Sequence, residues 1–123
     1  MREIKFRAWD DLKKRWTNYK ILDNSIYFMD KNTGVWFNHH HKEYERFELM
    51  QYAGLKDIAG NEIYEGDIIK DVSDGIIGHI EYSDGGFVII HDDIAEKLNA
   101  DESAYLEVIG NILENPELLG EEV

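Results

Sequence analysis

At 123 residues the chain has the commonest size for one domain, and its 43% hydrophobic and 12% aromatic residues are enough to fill a core, which excludes a disordered chain. It has no cysteine, which excludes disulfides, thiolate metal sites and a cysteine nucleophile. The net charge of −13 is unevenly divided: residues 1–60 hold 11 Lys and Arg against 9 acids, net +2, whereas residues 61–123 hold 2 against 17, net −15. Phosphates repel such an acidic half, so a role in duplex binding would have to come from the aromatic, mildly basic half. The start of the chain lacks the apolar region of a secretion signal, and no apolar run approaches the ~20 residues of a membrane helix, so a cytoplasmic protein is expected.

Ile4 to Trp9 alternates, with Ile4, Phe6 and Ala8 on one face and Lys5, Arg7 and Trp9 on the other, the pattern of a half-buried strand. A polar loop at Asp10, Asp11, Lys13 and Lys14 leads to Trp16–Leu22, expected to return as the second arm of a hairpin. Tyr27–Met29, the turn Asp30-Lys31-Asn32-Thr33-Gly34 and Val35–Phe37 predict a second hairpin. Asn38–Lys42 reads as a polar loop and Tyr44–Gln51 as a strand. Polar turns at Asp57–Asn61 and Glu65-Gly66-Asp67 follow, with Gly54, Gly60 and Gly66 expected to set three chain reversals.

Asp74-Gly75 and Asp84-Gly85-Gly86 then mark tight hairpins between Ile68–Val72, Ile76–Tyr82 and Phe87–Ile90, a three-stranded meander. Asp92 or Asp93 is placed to cap a short helix in which Ile94 and Leu98 share a face at i and i+4. Asn99–Ser103 reads as a loop and Leu106–Ile112 as a strand. Asn115 before Pro116 predicts one closing helical turn through Leu119, stopped by Gly120. The fold expected is mainly β: a small antiparallel barrel or curled sheet with SH3-like elements, N-terminal β-hairpins, and one or two short helices. A single domain over 1–123 is expected, with hairpins in 1–52 and the meander or barrel with its short helices in 53–123.

Three separated motifs, MREIKFRAWD at the start, LMQYAGLKDIAGNEIYEGDIIK in the centre and EVIGNILENPELL near the end, resemble the YopX family of phage and prophage proteins. The segment from about Lys14 to Glu43 lies between motifs, and Ala53 stands where the family more usually has threonine. The resemblance implies a phage- or prophage-encoded protein of mostly β fold in a bacterial cytoplasm, with no assigned activity and no catalytic residues to carry over. Separately, Ile63–Ile90 with Glu107–Ile112 is similar at fold level to small SH3-like barrels, which host many functions.

Each motif that carries chemistry has an ordinary structural counterpart. His39 and His41 share a face of an extended chain, which gives incidental metal affinity but falls short of a four-ligand site. Asp30, Asn32 and Gly34 miss the glycine and glutamate positions of a calcium loop. The carboxylate pairs Glu65 with Asp67, Asp92 with Asp93 and Asp101 with Glu102 fall at turns or a helix start, where acids have local capping roles. An enzyme would need several of Glu65, Asp67, His79 and His91 to converge in a cleft. Catalytic, cofactor-binding and metal residues are therefore not expected.

The binding-face candidates are Lys5, Arg7, Trp9, Lys13, Lys14 and Arg15, a basic patch with an aromatic ring able to stack on a base. The function expected is binding to a protein partner, with self-association through exposed strand edges of the N-terminal hairpins. The alternatives are nucleic-acid binding through the basic patch, or a carboxylate surface that imitates DNA and inhibits a host protein.

Overall fold

The computed structural model describes residues 4–120, so the first three residues of the N-terminal motif lie outside the described residues. Those residues form two compact units, one of Lys5–Gln51 and one of residues 52–120 with residue 4.

In the first unit, β1 (Phe6–Asp10) pairs antiparallel with β2 (Arg15–Thr17), with Trp9 opposite Trp16. The chain breaks after Thr17, and the expected single arm Trp16–Leu22 is in fact two strands. β3 (Tyr19–Leu22) leaves β1 and pairs with β4 (Ser25–Met29) through Asp23-Asn24, both in left-handed backbone at φ 51° and 63°. Two consecutive left-handed residues make the turn whose twist matches a hairpin, and Asp and Asn tolerate it. β5 (Trp36–Phe37) completes this second sheet as predicted, with Phe28 opposite Phe37. A 3₁₀ turn over Lys42–Arg46 stands where the start of a strand was expected, and β6 (Phe47–Lys56) begins after it. The first five residues of β6 pair with β1, and Ala8, Phe28 and Phe47 form a core against Tyr19, Phe37, Tyr44 and Leu49.

Arg46 holds this unit's polar interior. Its Nη2 lies 2.9 Å from Asp30 Oδ2 and its Nη1 2.7 Å from Glu43 Oε1, while Nη2 also donates to Asp10 Oδ2 at 3.1 Å. The guanidinium carbon sits 4.7 Å from the Phe47 ring centre. A planar fork with five donors satisfies three carboxylates at once and has two donors more than an ammonium. The Arg46 side chain is 13% exposed and that of Asp10 1%, so these charges are compensated in a desolvated setting.

In the second unit β6 continues and pairs with β7 (Glu62–Tyr64). Tyr52 lies opposite Tyr64 and Lys56 opposite Glu62, so β6 carries an irregularity there, at which Gly54 adopts φ 87°. Gly60 and Gly66, both at φ 88°, lie in turns as expected, whereas Gly54 bends a strand instead of reversing the chain. β8 (Asp67–Asp71), β9 (Ile77–Ser83) and β10 (Gly86–His91) make the predicted meander. The first hairpin loop is Val72–Gly75, longer than the two residues expected, because Asp71 N–H already bonds Ile76 C=O.

The helix expected after Asp92 is absent. Asp92 and Asp93 are both left-handed, at φ 46° and 65°, and turn the chain into β11 (Ile94–Lys97), paired with β10. Ile94 and Leu98 share a face at a spacing of four in a strand as well as in a helix, because four is a multiple of two, so the spacing does not discriminate. The short helix lies instead at α1 (Ala100–Ser103), in the expected loop, capped by Asn99 Oδ1 accepting from Glu102 N–H at 2.8 Å.

β12 (Leu106–Asn111) pairs with β8, so the sheet runs β11-β10-β9-β8-β12 and curls as a half-barrel. A 3₁₀ turn over Pro116–Leu119 ends at Gly120, as predicted. The core is Ala53, Ile63, Ile69, Ile80, Phe87, Ile89 and Leu106. The fold is therefore mainly β, as the sequence leads one to expect.

Asp57 fastens the ends of this unit together. Its buried carboxylate accepts from Ala59 N–H at 2.9 Å, Asn61 N–H at 2.8 Å and, from the far end of the chain, Val108 N–H at 2.9 Å. Burial pushes the carboxyl up, but the bonds from Val108, Asn61 and Ala59 outweigh it and hold it below the ordinary value. A lowered folded-state value contributes stability above the ordinary aspartate range that is lost as pH falls through the folded value.

Asp57→Ala should cost about 2–4 kcal/mol at pH 7, read by denaturant unfolding, with the difference from the parent shrinking on acidification. Arg46→Met leaves three carboxylates without their partner and should cost about 3 kcal/mol, and Arg46→Lys should recover only part of it.

Candidate functional site

Of the six binding-face candidates, Trp9 is 2% exposed, edge-on to Trp16 at 4.9 Å between ring centres, and its indole N–H donates to Asp11 Oδ1. The stacking role expected of Trp9 thus has no exposed ring behind it. The Arg7 guanidinium covers Trp16 at 4.6 Å, Lys14 pairs with Asp11 at 2.9 Å, and Arg15 donates to Asn32 Oδ1. Lys5 is half-buried and Lys13 exposed.

The histidine run is also used locally. His41 Nδ1 accepts from Glu43 N–H and caps the 3₁₀ turn, while its ring lies 4.6 Å from Phe37. His39 lies against His40 at 4.0 Å. Among the described residues no group of three or more His, Cys, Asp or Glu is placed to hold a metal ion.

Of the four residues several of which an enzyme would need together, Glu65 and Asp67 lie at the turn before β8 and His79 lies in β9. Asp67 accepts from Tyr64 N–H at 2.7 Å inside the turn before β8. His79 lies 2.7 Å from Glu81, two residues along the same strand and so on the same face. Of the four, His91 alone lines a small acidic cavity.

That cavity opens between the ends of β8, β10 and β11 and the start of β12, and has a volume of about 100 Å³. Its floor is Ile69, Ile89 and Leu106, all at most 5% exposed. Around the floor stand Asp71, Asp74, Glu96, Glu102 and His91, with Ile76 at the edge and no Lys or Arg among the lining. His91 Nε2 lies 3.7 Å from Glu96 Oε2. The inner atoms His91 Nδ1 and Glu102 Oε1 are buried without a hydrogen-bond partner. Burial, then the charges of Glu96 and Asp71, push the Glu102 carboxyl above its ordinary value. Two larger grooves beside Gly86 and Phe87, of about 370 and 430 Å³, both include Lys97, and the second also includes Glu81, Ser83 and Asp84.

Beside the cavity mouth runs a row of exposed apolar residues. Val72 N–H donates to Tyr105 C=O, Ile58 N–H to Leu106 C=O, and Asp71 N–H to Ile76 C=O, which brings these chain segments side by side. Ile58 is 55%, Val72 45%, Ile76 43% and Tyr105 57% exposed. The sequence marks neither feature: Glu102 falls in an expected loop, Glu96 in an expected helix, and the apolar row joins three separate segments. Only the β8–β9 hairpin signal places any two of these residues, Val72 and Ile76, together.

A family profile described as YopX protein matches residues 5–120. Among solved structures, protein EF1440 from Enterococcus faecalis is similar at 29% identity with a TM-score of 0.72, covering 97% of this chain and 99% of that one. Protein yopX from Bacillus subtilis is similar at 26% identity with a TM-score of 0.65, covering 100% and 99%. No curated protein matches.

A carboxyl whose folded value is raised keeps its stability below the ordinary glutamate range and loses it as pH climbs through the folded value. Glu102→Gln should therefore raise the thermal midpoint at pH 7 by a few degrees and leave it unchanged near pH 4, followed by melts across that range.

Proposed function

The chain belongs to the YopX family, and from that premise and the geometry of its acidic unit we propose that it acts by binding a partner protein. The observation that carries the reading is the apolar row Ile58, Val72, Ile76 and Tyr105 beside a mouth of four carboxylates. Exposed aliphatic and aromatic side chains grouped at one place, with polar groups around them, are the ordinary make-up of a protein-binding surface. The charge selects the partner's chemistry. Residues 52–120 contain 3 Lys and Arg against 16 acids, so a basic surface with apolar side chains complements this one and an acidic surface is repelled.

The family's phage or prophage setting and a location in the bacterial cytoplasm belong to the same reading. A basic host protein is a partner suited to an accessory factor of that kind. Among the described residues no helix is long and apolar enough to cross a membrane.

Selection of a random-peptide library on the immobilised protein tests the proposal. Enriched peptides should combine Lys or Arg with aromatic or aliphatic residues. Synthetic representatives should bind at least tenfold more weakly to Tyr105→Ala and to Val72→Ser, whose melting midpoints should match the parent because both side chains are exposed. No enrichment over the bare support, or binding indifferent to both substitutions, would overturn it.

A further inference from the structure

We propose that the cavity beneath the apolar row is a receptor for a single primary ammonium on an aliphatic stem, the side chain of a lysine presented by the partner. The inference rests on the proposed partner binding and names the residue that such a partner inserts. Three features of the cavity converge on this ligand.

The first is size. About 100 Å³ is far below the several hundred Å³ of a metabolite pocket and a few times the ~30 Å³ share of one water, which suits the end of one extended side chain. The second is the floor: Ile69, Ile89 and Leu106 offer only hydrocarbon, so the part of the ligand that passes over them is apolar.

The third is the polar rim and its two unpartnered inner atoms. In the neutral tautomer that carries its proton on Nε2, 3.7 Å from Glu96 Oε2, His91 Nδ1 is an acceptor, and Glu102 Oε1 is an acceptor in the carboxylate form. Both are buried without a partner, and a buried acceptor gains most from a donor that reaches it. An ammonium brings three N–H donors and a positive charge into a lining that contains carboxylates and no cation.

Competing cations fit less well. A divalent metal needs ligands converging on one point, and no such group of three occurs among the described residues. A guanidinium is a wide planar fork, and the end of one slim side chain fits a cavity of about 100 Å³ better than that fork does. The ammonium is compact and its donors radiate, which matches acceptors on several sides.

The test uses the full chain and defined probes. N-acetyl-lysine N-methylamide, its norleucine counterpart with the same stem and no ammonium, Mg²⁺ and Zn²⁺ are titrated while the methyl resonances of Ile69, Ile89 and Leu106 are followed by NMR. The lysine derivative should shift these methyls saturably, with a dissociation constant on the order of millimolar. The norleucine derivative should not, and the shifts should fall at least fivefold in Glu102→Gln and further with Glu96→Gln added. No saturable shift, equal shifts with norleucine, or a response to the metal ions alone overturns the proposal.

Its failure is distinguishable from that of the binding reading. Peptides selected on the protein that tolerate replacement of every lysine by norleucine remove the lysine receptor and leave the partner surface standing. Saturation by the lysine derivative with no peptide enriched leaves the receptor and removes the partner surface.

Discussion

The acidic unit depends on one carboxylate. Asp57 lies in a turn between two strands and would be expected only to organise that turn, which it does by accepting from Ala59 and Asn61. Its second oxygen accepts from Val108, 51 residues on, and the adjacent Ile58 N–H bonds Leu106 C=O. Together these bonds occupy polar groups of β12 on the side away from β8, so the closing strand of the half-barrel does not present a free edge there. The same bonds bring Ile58 beside Tyr105 and Leu106, and thereby join the apolar row to the strand whose Leu106 forms part of the cavity floor. The proposed binding surface is thus a product of a structural hydrogen bond.

Arg46 does the corresponding work in the unit of Lys5–Gln51 by the opposite means. There one cation serves three acids, and the sign balance of that unit, 9 Lys and Arg against 7 acids, permits it. With 3 against 16, residues 52–120 are short of cations, and their buried acids Asp57 and Asp67 accept from backbone N–H groups. The remaining acids are at the surface or, like Glu102, at a site where burial and neighbouring negative charge raise the proton affinity. A group held at a cost in the free protein is one whose cost a cationic partner relieves, which ties the electrostatics of the cavity to its proposed occupant.

Several elements are legible in the sequence because their signals are local. Asp84-Gly85 and the Asp30–Gly34 loop join the strands they were expected to join, since a turn's backbone demands can be read from two to five residues. Asp23-Asn24 and Asp92-Asp93 escape such reading because neither contains glycine, yet all four residues adopt left-handed backbone. The second of these turns an expected helix into β11, on a spacing of four that strand and helix share. Trp9 shows the other kind of miss. Alternation places it on a polar face, but it is buried against Trp16, and alternation along one strand does not report what covers each face.

By itself, the sequence determined the mainly β class, the meander, the closing turn at Pro116, the division of charge and the family to which the chain belongs. Each of these is written in composition or in short contiguous patterns, where steric and periodic rules act over a few residues. Tertiary structure alone decided which carboxylates became cement and which surround an opening, because that depends on pairings such as Asp57 with Val108 across 51 residues. The central motif shows both sides of this. Its Gly60 and Gly66 announced turns, but the bend at Gly54 and the work of Asp57 became visible only in the tertiary structure, the latter when the far strand arrived beside it.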